Sequence, residues 1–339
     1  MTPRRLGFRM PAEWEPHEAT WLAWPHEKSD WPGKFAPIPW LYGEIVRHLA
    51  RLESVRILVE DADQEHRVRG MLRKCHAAVD AVEFFHHPTN RSWTRDYGPL
   101  FVKSRNEVAV TDWRFKGWAK YANWEQDNAV PARIAAALSM RRWETGLVLE
   151  GGSIDVNGAG KLLTTEECLL SDVQARNPEL SRRGMERALA AYLGATEVIW
   201  LGRGIAGDDT HGHVDDVTRF TSSDTVVTVV EPEKSEANHE PLKESLARLR
   251  ARGDLRVATL PMPEPVYFAG QRLPASYANF YIANGMVLAP VFSDPNDLPA
   301  LNTLARLFPH REIIGIPCRD LVLGLGTLHC MTQQQPNVG

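Results

Sequence analysis

Five polar residues stand at similar intervals along the 339-residue chain: Asp96, Glu150, His213, Asn279 and Cys330. Each comes just before a predicted β-hairpin or, for Cys330, at the last predicted strand. Their spacing is roughly 60 residues, which indicates that each occupies the same place in a repeated unit. If the repeats close around an axis, the five side chains point into one central cavity. Residues remote in sequence would then form a single site.

The residue types in this set predict a particular chemistry. A cysteine thiolate is a good nucleophile, and a nearby imidazole can carry protons and lower the thiol pKa. Two or three carboxylates would raise the pKa of a thiol, so they are an unusual choice around the nucleophile of a cysteine protease. They are well suited to hold a guanidinium ion by paired hydrogen bonds, and the bound cation would offset their effect on the thiol. The sequence therefore predicts a hydrolase in which Cys330 attacks a guanidinium compound.

The predicted secondary structure supplies the repeat that positions these residues. Apolar residues at helical spacing predict helices, short β-branched segments follow them as strands, and polar turns join other short strands into hairpins. The predicted helices lie around residues 41–52, 132–138, 185–193, 242–249 and 301–308, and the strands after helices at 55–59, 198–201, 257–260 and 313–316. The order hairpin, helix, strand recurs about four times, with a related segment at the N-terminus. No linker divides the chain, so we expect one α/β domain spanning residues 1–339.

Composition excludes several classes of function. The formal net charge of −4 gives no long-range attraction to nucleic acid or to an anionic membrane. No segment approaches the roughly 20 apolar residues that a membrane-spanning helix needs, and the N-terminus lacks the apolar core of a secretion signal. The four cysteines, Cys75, Cys168, Cys318 and Cys330, show no CxxC spacing. We therefore expect a cytoplasmic protein with reduced thiols, in which the first three cysteines are packing residues.

Five segments carry a resemblance to a known family. They are Pro11–His17, Trp93–Pro99, Glu150–Ser153, Gly212–Asp215 and His329–Gln334. These segments resemble the agmatine deiminase family, and the similarity runs from about residue 8 to residue 336. The resemblance implies the pentein fold, a five-bladed α/β propeller of pseudo-repeats. It also implies a guanidine-modifying cysteine hydrolase that needs no cofactor and no metal.

The resemblance also implies a role for each site residue. Cys330 matches the nucleophile, and His213 matches the general acid and base. Asp96 and Asp215 match the carboxylates that hold the guanidinium group. Glu150 matches the residue that orients the histidine.

Two segments depart from the family pattern. The chain reads Gly324-Leu325-Gly326-Thr327 where many relatives have three successive glycines, and Trp118-Ala119-Lys120-Tyr121 where a Gly-Gly pair is common. Neither change removes a catalytic group. Both change the shape of the pocket that the family pattern would imply.

The reaction that the resemblance implies is the hydrolysis of agmatine to N-carbamoylputrescine and ammonia, a step of putrescine and polyamine biosynthesis. It would proceed through an amidino-thioether on Cys330. The alternative is a deiminase of another guanidine: free arginine, methylated arginine or peptidyl-arginine. An arginine deiminase must bind an α-carboxylate, and the sequence alone places no arginine in the pocket.

Four further residues are candidates for substrate binding. Trp93 and Trp118 could stack on the alkyl chain or the guanidinium group, although such aromatics are more often packing residues. Asp209, four residues before His213, could bind the far amine of agmatine, and Asn279 completes the set of repeat-equivalent positions.

Structural roles remain open for several of these polar residues. Asp96 could cap a turn before Gly98-Pro99, and Asp215 could pair with Arg219. His329 alternates with Cys330 on a predicted strand and is expected to face away from it. His211 is evenly balanced between a structural and a functional role.

Two other classes of protein remain as alternatives. The His211-Gly212-His213 segment with Asp215 has the ligand spacing of a metal-dependent amidohydrolase, although no second cluster of ligands follows it. A non-catalytic pentein that serves as a binding protein should lack the nucleophile and its proton carrier, and both are present in this chain. The sequence leaves the oligomeric state open, a homo-oligomer included.

Overall fold

The computed structural model describes residues 1–338, in which short sheets and helices alternate along the chain. The strands are β1 (His17–Ala23), β2 (Ser54–Val59), β3 (Val82–His86), β4 (Leu100–Lys103), β5 (Val108–Arg114), β6 (Arg142–Val148), β7 (Asp155–Val156), β8 (Lys161–Thr165), β9 (Glu197–Leu201), β10 (Thr218–Phe220), β11 (Thr225–Val230), β12 (Arg256–Pro261), β13 (Tyr267–Phe268), β14 (Gln271–Arg272), β15 (Tyr281–Ala283), β16 (Met286–Val291), β17 (Glu312–Pro317) and β18 (Gln333–Pro336). The α-helices are α1 (Ile38–Leu49), α2 (Ala62–Lys74), α3 (Thr94–Tyr97), α4 (Glu125–Asn128), α5 (Val130–Ala137), α6 (Glu166–Leu170), α7 (Arg182–Leu193), α8 (His239–Arg250) and α9 (Asp297–Leu307).

Four sheets share one topology. In each of them an antiparallel hairpin is followed by a third strand that runs parallel to the second, in the orders β4-β5-β6, β7-β8-β9, β10-β11-β12 and β15-β16-β17. A parallel pair needs a crossover connection, and each crossover here contains at least one helix. The predicted order of hairpin, helix and strand is therefore confirmed for these four sheets.

A fifth sheet is built from both ends of the chain. The C-terminal strand β18 pairs antiparallel with β1, and β2 and β3 continue the sheet in parallel, in the order β18-β1-β2-β3. Its first three strands repeat the antiparallel-then-parallel pattern, but the hairpin is replaced by strands from opposite ends of the chain. This pairing places Cys330 directly before the first strand of its sheet, as Asp96 is before β4.

Local sequence signals account for the helices that cover these sheets. In α7 the side chain of Ser181 accepts a hydrogen bond from the backbone of Gly184, and Gly194 ends the helix with a φ of 77° that favours glycine. Its apolar stripe, which includes Met185 and Leu189, is buried against the sheet. The strand β11 lies beneath α8 and is an apolar run, as expected for a strand covered on both faces.

Some elements were not predicted. Helix α2 is polar over most of its surface, and β6 alternates exposed and half-buried residues around Gly146, so neither shows a strong hydrophobic period. The strand β3 and the small hairpin β13–β14 were missed as well. Within residues 1–338, no helix combines the length and the apolar character needed to cross a membrane.

Candidate active site

The side chain of Cys330 lies in the wall of a cavity of about 390 Å³. Four of the predicted site residues also line this cavity: Asp96, Trp93, Trp118 and Asp209. The remaining four, His213, Glu150, Asp215 and Asn279, are buried beside it. The ends of different sheets therefore contribute to one site.

His213 lies between two carboxylates. Its Nδ1 is 3.7 Å from Asp96 Oδ1, and its Nε2 is 3.7 Å from Glu150 Oε2. Both distances exceed those of a hydrogen bond, and neither ring nitrogen has a hydrogen-bond partner within residues 1–338. Burial lowers the pKa of His213, but Asp96, then Cys168 and Glu150, outweigh burial and raise the pKa well above its ordinary value. In this arrangement His213 is an imidazolium whose N–H groups can donate to a ligand.

Glu150 is fixed by a buried arginine that was not predicted. The Nε of Arg176 lies 3.1 Å from each of the two carboxylate oxygens of Glu150. Burial raises the pKa of Glu150, but Arg176 and His213 outweigh burial, so the pKa lies below its ordinary value. Arg176 belongs to a loop, and nothing in its local sequence pattern marks it as a partner of Glu150.

Asp96 stands in the short helix α3 and receives two hydrogen bonds. The backbone N–H of Gly152 donates to its Oδ1 at 3.0 Å, and the indole N–H of Trp118 donates to its Oδ2 at 2.8 Å. Burial is the main cause that raises the pKa of Asp96 to about 6, and His213 opposes this rise. Neutral Asp96 would bind a guanidinium group poorly, so its ionisation is a condition for binding.

Asp215 is held by His329, and here the sequence-based expectation was wrong. Residues 328–331 form a turn rather than a strand, so His329 does not face away from the site. Its Nδ1 donates to Asp215 Oδ2 at 2.7 Å, and its Nε2 donates to Glu13 Oε2 at 2.8 Å. Burial raises the pKa of Asp215, but His329 and His213 outweigh it, so this carboxylate stays ionised.

Asp215 does not form the ion pair with Arg219 that was considered as its structural role. The guanidinium group of Arg219 binds Glu13 and Asp155, at 3.0 and 2.9 Å. The Oδ1 of Asp215 has no hydrogen-bond partner within residues 1–338, although it is buried. It can therefore accept a hydrogen bond from a bound cation.

Asn279 fixes the environment of the Cys330 sulfur. Its Nδ2 lies 3.1 Å from Cys330 Sγ and donates to Asp216 Oδ1 at 3.0 Å, while its Oδ1 accepts from the hydroxyl of Thr327 at 2.7 Å. The Oδ2 of Asp215 is 3.9 Å from the same sulfur. Burial raises the pKa of Cys330 well above its ordinary value, and the carboxylates of Asp215 and Asp216 raise it further. Without a bound cation Cys330 is therefore a neutral thiol.

Two glycines allow these side chains to approach one another. A Cβ atom at Gly152 would lie 2.6 Å from His213 Nδ1, 2.8 Å from Asp96 Oδ1 and 3.0 Å from an oxygen of Asp215. A Cβ atom at Gly326 would lie 2.9 Å from the Cβ of Cys330. Any larger residue at Gly152 would push the imidazole and both carboxylates apart.

The outer part of the cavity carries charges of both signs. The carboxylate of Asp209 accepts hydrogen bonds from the ammonium group of Lys120 and from the hydroxyl of Tyr121, the latter at 2.7 Å. Arg91 also lines the cavity, but it forms an ion pair with Asp30 and lies over the ring of Tyr121. The indole N–H of Trp93 donates to Asp30 at 3.0 Å.

Both departures from the family pattern lie in the wall of the cavity. Leu325 has a left-handed φ of 67°, and Trp118 and Ala119 have φ values of 55° and 54°, although none of them is a glycine. Gly324 and Gly326 remain where a Cβ atom would meet the ring of Trp93 at 2.7 and 3.0 Å. The chain thus retains glycine where space is needed and accepts larger residues where only the backbone conformation favours glycine.

The ligand set of a metal-dependent amidohydrolase is not assembled. The ring of His211 lies 3.2 Å from the hydroxyl of Ser171 and does not approach His213 and Asp215 as a common cluster. Among residues 1–338, the group that could hold a metal ion is Glu150, Cys168 and His213. It includes neither His211 nor Asp215.

Residues 9–336 match the model of the Porphyromonas-type peptidyl-arginine deiminase family, and the chain belongs to this family. It is 36% identical to an agmatine deiminase of Pseudomonas aeruginosa, over 99% of this chain and 97% of the relative. It is also 36% identical to an agmatine deiminase of Medicago truncatula, over 99% of this chain and 98% of the relative.

A solved structure supports the same assignment of fold. The agmatine deiminase of Enterococcus faecalis superposes with a TM-score of 0.93 at 32% sequence identity, covering 100% of this chain and 98% of that one. The fold of mixed α/β sheets described above is thus that of an agmatine deiminase structure.

Proposed function

We propose that this protein is an agmatine deiminase that hydrolyses agmatine to N-carbamoylputrescine and ammonia. The observation that carries the proposal is the sulfur of Cys330 at 3.9 Å from the ionised carboxylate of Asp215, in a cavity shared with Asp96. Full-length similarity to agmatine deiminases, at 36% identity, supports the choice of substrate.

The guanidinium group binds between Asp96 and Asp215. The unpartnered Oδ1 of Asp215 accepts one of its N–H groups, and Asp96 accepts others through the lone pairs that Gly152 and Trp118 leave open. The bound cation offsets the carboxylates that raise the pKa of Cys330. The thiol then releases its proton to solvent through the cavity, and the amide N–H of Asn279 stabilises the thiolate.

In the first half of the reaction, the Cys330 thiolate attacks the guanidinium carbon and a C–S bond forms. The π electrons of the C–N bond move onto nitrogen and give a tetrahedral intermediate. Imidazolium His213 transfers a proton to the departing nitrogen, the C–N bond breaks, and ammonia leaves. An amidino-thioether remains on Cys330, and His213 is neutral.

In the second half, neutral His213 takes a proton from water and the resulting hydroxide adds to the same carbon. The C–S bond breaks, its electron pair returns to sulfur, and the ureido product leaves after losing a proton. Glu150 orients the imidazole and stabilises its charged form in both halves, because Arg176 keeps the Glu150 carboxylate ionised.

The far amine of agmatine binds at Asp209, the carboxylate at the outer end of the cavity. Trp93 and Trp118 line the same cavity as Asp209 and Cys330, so their rings can pack on the alkyl chain. A bound amine would replace the ammonium group of Lys120, which lies on Asp209 in the free protein.

Free arginine is a second candidate substrate, because Arg91 lines the cavity. The guanidinium group of Arg91 could bind the α-carboxylate of that substrate. Asp30 already neutralises Arg91 through a buried ion pair, however, so the charges in the cavity favour agmatine.

We also propose that the five sheets are the blades of one propeller-like domain around a central axis. The four hairpin sheets share one topology, the sheet β18-β1-β2-β3 has the same strand pattern, and each contributes a residue of the site just before its first strand.

We propose a cytoplasmic location for the protein. All four cysteines are free thiols, which is consistent with a reducing compartment.

The experiment that tests the proposed function is an ammonia-release assay with agmatine, arginine, methylated arginine and an arginine-containing peptide. We expect the highest kcat/KM for agmatine, with N-carbamoylputrescine as the product. A higher kcat/KM for arginine would show that arginine rather than agmatine is the preferred substrate, and the proposed mechanism would still apply.

A further inference from the structure

A second buried cysteine lies beside His213, and no step of the proposed reaction uses it. One ligand atom from each of Cys168, Glu150 and His213 lies within 4.8 Å of the other two. All three side chains are buried. This group differs from the guanidinium site, because it contains Cys168 in place of Cys330 and Asp96.

The donor types suit a soft or borderline divalent cation. Thiolate sulfur, imidazole nitrogen and carboxylate oxygen are the ligands that Zn²⁺ takes in proteins, whereas Mg²⁺ and Ca²⁺ require oxygen ligands. Neither ring nitrogen of His213 has a hydrogen-bond partner within residues 1–338, so a ring nitrogen can bind a metal ion once it has lost its proton. Three protein ligands leave the fourth position of a tetrahedral ion for water.

The distances require only a small movement. Zinc–ligand bonds of about 2.0–2.3 Å place tetrahedral ligands roughly 3.3–3.8 Å apart, so the three donors must close by about 1 Å. Arg176 bonds both oxygens of Glu150, but each carboxylate oxygen keeps a second lone pair for a metal.

The surroundings contain one cation beside the group, Arg176, which binds Glu150, and two further carboxylates, Asp96 and Asp215. Asp96 lies 3.7 Å from His213, and its pKa is raised mainly by burial and also by the neighbouring Asp215 and Glu150. An ion that enters from the cavity would pass Asp96, which lines the cavity and is the neighbour of His213 on that side. The added positive charge would relieve the repulsion among these carboxylates.

We propose that Glu150, Cys168 and His213 form an inhibitory binding site for Zn²⁺ or a chemically similar thiophilic divalent cation. The metal takes the place of the proton on Cys168 and of the proton on one ring nitrogen of His213, and both protons are released to solvent. The imidazole can then no longer transfer a proton to ammonia or take one from water. Because this effect on turnover rests on the proposed role of His213, binding is tested separately from activity.

The binding test uses Co²⁺ as a spectroscopic substitute for Zn²⁺ in the C330S protein, which lacks the nucleophile's thiol. We expect one equivalent of Co²⁺ to give thiolate-to-cobalt charge-transfer absorption, and Zn²⁺ to displace it. The absorption should be absent from C330S/C168S and retained in C330S/C318S, because Cys318 is an equally buried free thiol outside the group. Equal absorption in C330S/C168S, or none in C330S, would overturn the proposal.

The activity test compares inhibition of agmatine turnover by Zn²⁺, each variant being scaled to its own rate without metal. We expect reversible inhibition that a chelator relieves and that Mg²⁺ does not cause. The C168S substitution should raise the half-inhibiting Zn²⁺ concentration about tenfold or more. Loss of a residue that only hydrogen-bonds to a metal ligand already lowers metal affinity by about tenfold or more, and loss of a ligand itself should lower it at least as much. The C318S control should keep the original sensitivity.

The outcomes separate this inference from the proposed function. Unchanged sensitivity of C168S would mean that Zn²⁺ acts through Cys330, and would reject the proposed site. Absence of agmatine turnover in the unmodified protein would reject the proposed function, while the cobalt absorption would still decide whether the metal site exists.

Discussion

At the scale of single residues, the ionisation of Cys330 depends on the substrate. Burial and the carboxylates of Asp215 and Asp216 hold the pKa of the thiol well above its ordinary value, so the free protein has a weak nucleophile. The same carboxylates attract the guanidinium cation whose charge then stabilises the thiolate. Neutral ligands should therefore leave Cys330 unreactive.

Asp96 determines the low-pH limit of activity. Its raised pKa is about 6, and only the ionised carboxylate binds the guanidinium cation. Activity is therefore present above this pKa and is lost as the pH falls through it. We expect kcat/KM for agmatine to decline below about pH 6, measured as a pH–rate profile.

A pair of tryptophan variants identifies the group that titrates. The hydrogen bond from the indole of Trp118 lowers the pKa of Asp96. Trp118→Phe removes this donor and should raise that pKa, so the acidic limb of the pH–rate profile should move to higher pH. Trp93→Phe removes the equivalent donor to Asp30, whose pKa is also raised to about 6, mainly by burial. If the limb moved with Trp93→Phe instead, Asp30 rather than Asp96 would be the controlling group.

Lys120 and Asp209 determine how the far end of agmatine binds. Lys120 is half exposed, and an exposed ion pair contributes about 1 kcal/mol or less, so its removal should lower KM for agmatine by at most roughly fivefold. Asp209→Asn should raise KM instead. Both effects are measured by steady-state kinetics on Lys120→Met and Asp209→Asn.

The matched control for this pair is a substrate without the amine. Butylguanidine should show no dependence of KM on Lys120→Met, and the effect of Lys120→Met on agmatine should vanish in the Asp209→Asn background. An equal effect on both substrates would show that the amine does not bind at Asp209.

At the scale of elements, the turn at Gly152 brings the segments of three sheets together. A methyl group at this position would overlap His213, Asp96 and Asp215 at 3.0 Å or less. We expect Gly152→Ala to lower kcat/KM by about 100-fold or more, because displacement of about 1 Å at a reacting centre has that effect. The measurement is steady-state kinetics together with thermal unfolding.

The control for this variant is Gly70→Ala in helix α2, where a Cβ atom meets nothing within 4 Å. That change should leave kcat/KM unaltered and stabilise the protein by roughly 0.5–1 kcal/mol. Normal kinetics in Gly152→Ala would contradict the close packing of the site.

The sequence predicted the elements whose signals are local. The stripes of α1, α7, α8 and α9 and the turns of the four hairpins lie where periodicity and turn residues placed them. The role of His329 was missed, because period-two alternation applies only to a strand, and residues 328–331 form a turn. The strand β6 was missed because its residues alternate between exposed and half-buried, with few apolar side chains to mark the buried face.

At the scale of the whole molecule, Glu13 connects distant parts of the chain. Its carboxylate accepts hydrogen bonds from Arg95, from His329 and from the backbone of Ile282, and it pairs with Arg219. Repeat spacing could place Asp96, Glu150, His213, Asn279 and Cys330 at equivalent positions. It could not predict Glu13 or Arg176, because partners chosen by tertiary contact leave no periodic signal.

Glu13→Gln should destabilise the fold by roughly 3–5 kcal/mol, because it leaves buried cations without their counter-charge. Burial raises the pKa of Glu13, but Arg219, His329 and Arg95 outweigh burial and lower it well below its ordinary value. The stabilisation is therefore present at neutral pH and is lost as the pH falls below the unfolded value of about 4.3. Denaturant unfolding at several pH values measures both effects.

The matched control is Glu15→Gln, which removes partly exposed ion pairs with Arg9 and Lys103. It should cost at most about 1 kcal/mol. A cost for Glu13→Gln no larger than that of Glu15→Gln would show that the buried network does not hold the ends of the chain together.

The central claim is that Cys330 forms a covalent bond to the guanidine carbon of agmatine. Intact-protein and peptide mass spectrometry of samples quenched in acid during turnover tests it most directly. We predict an adduct with the mass of agmatine less ammonia on the peptide that contains Cys330, and neither adduct nor turnover in Cys330→Ala. Turnover by Cys330→Ala, or an adduct on another residue, would contradict the account.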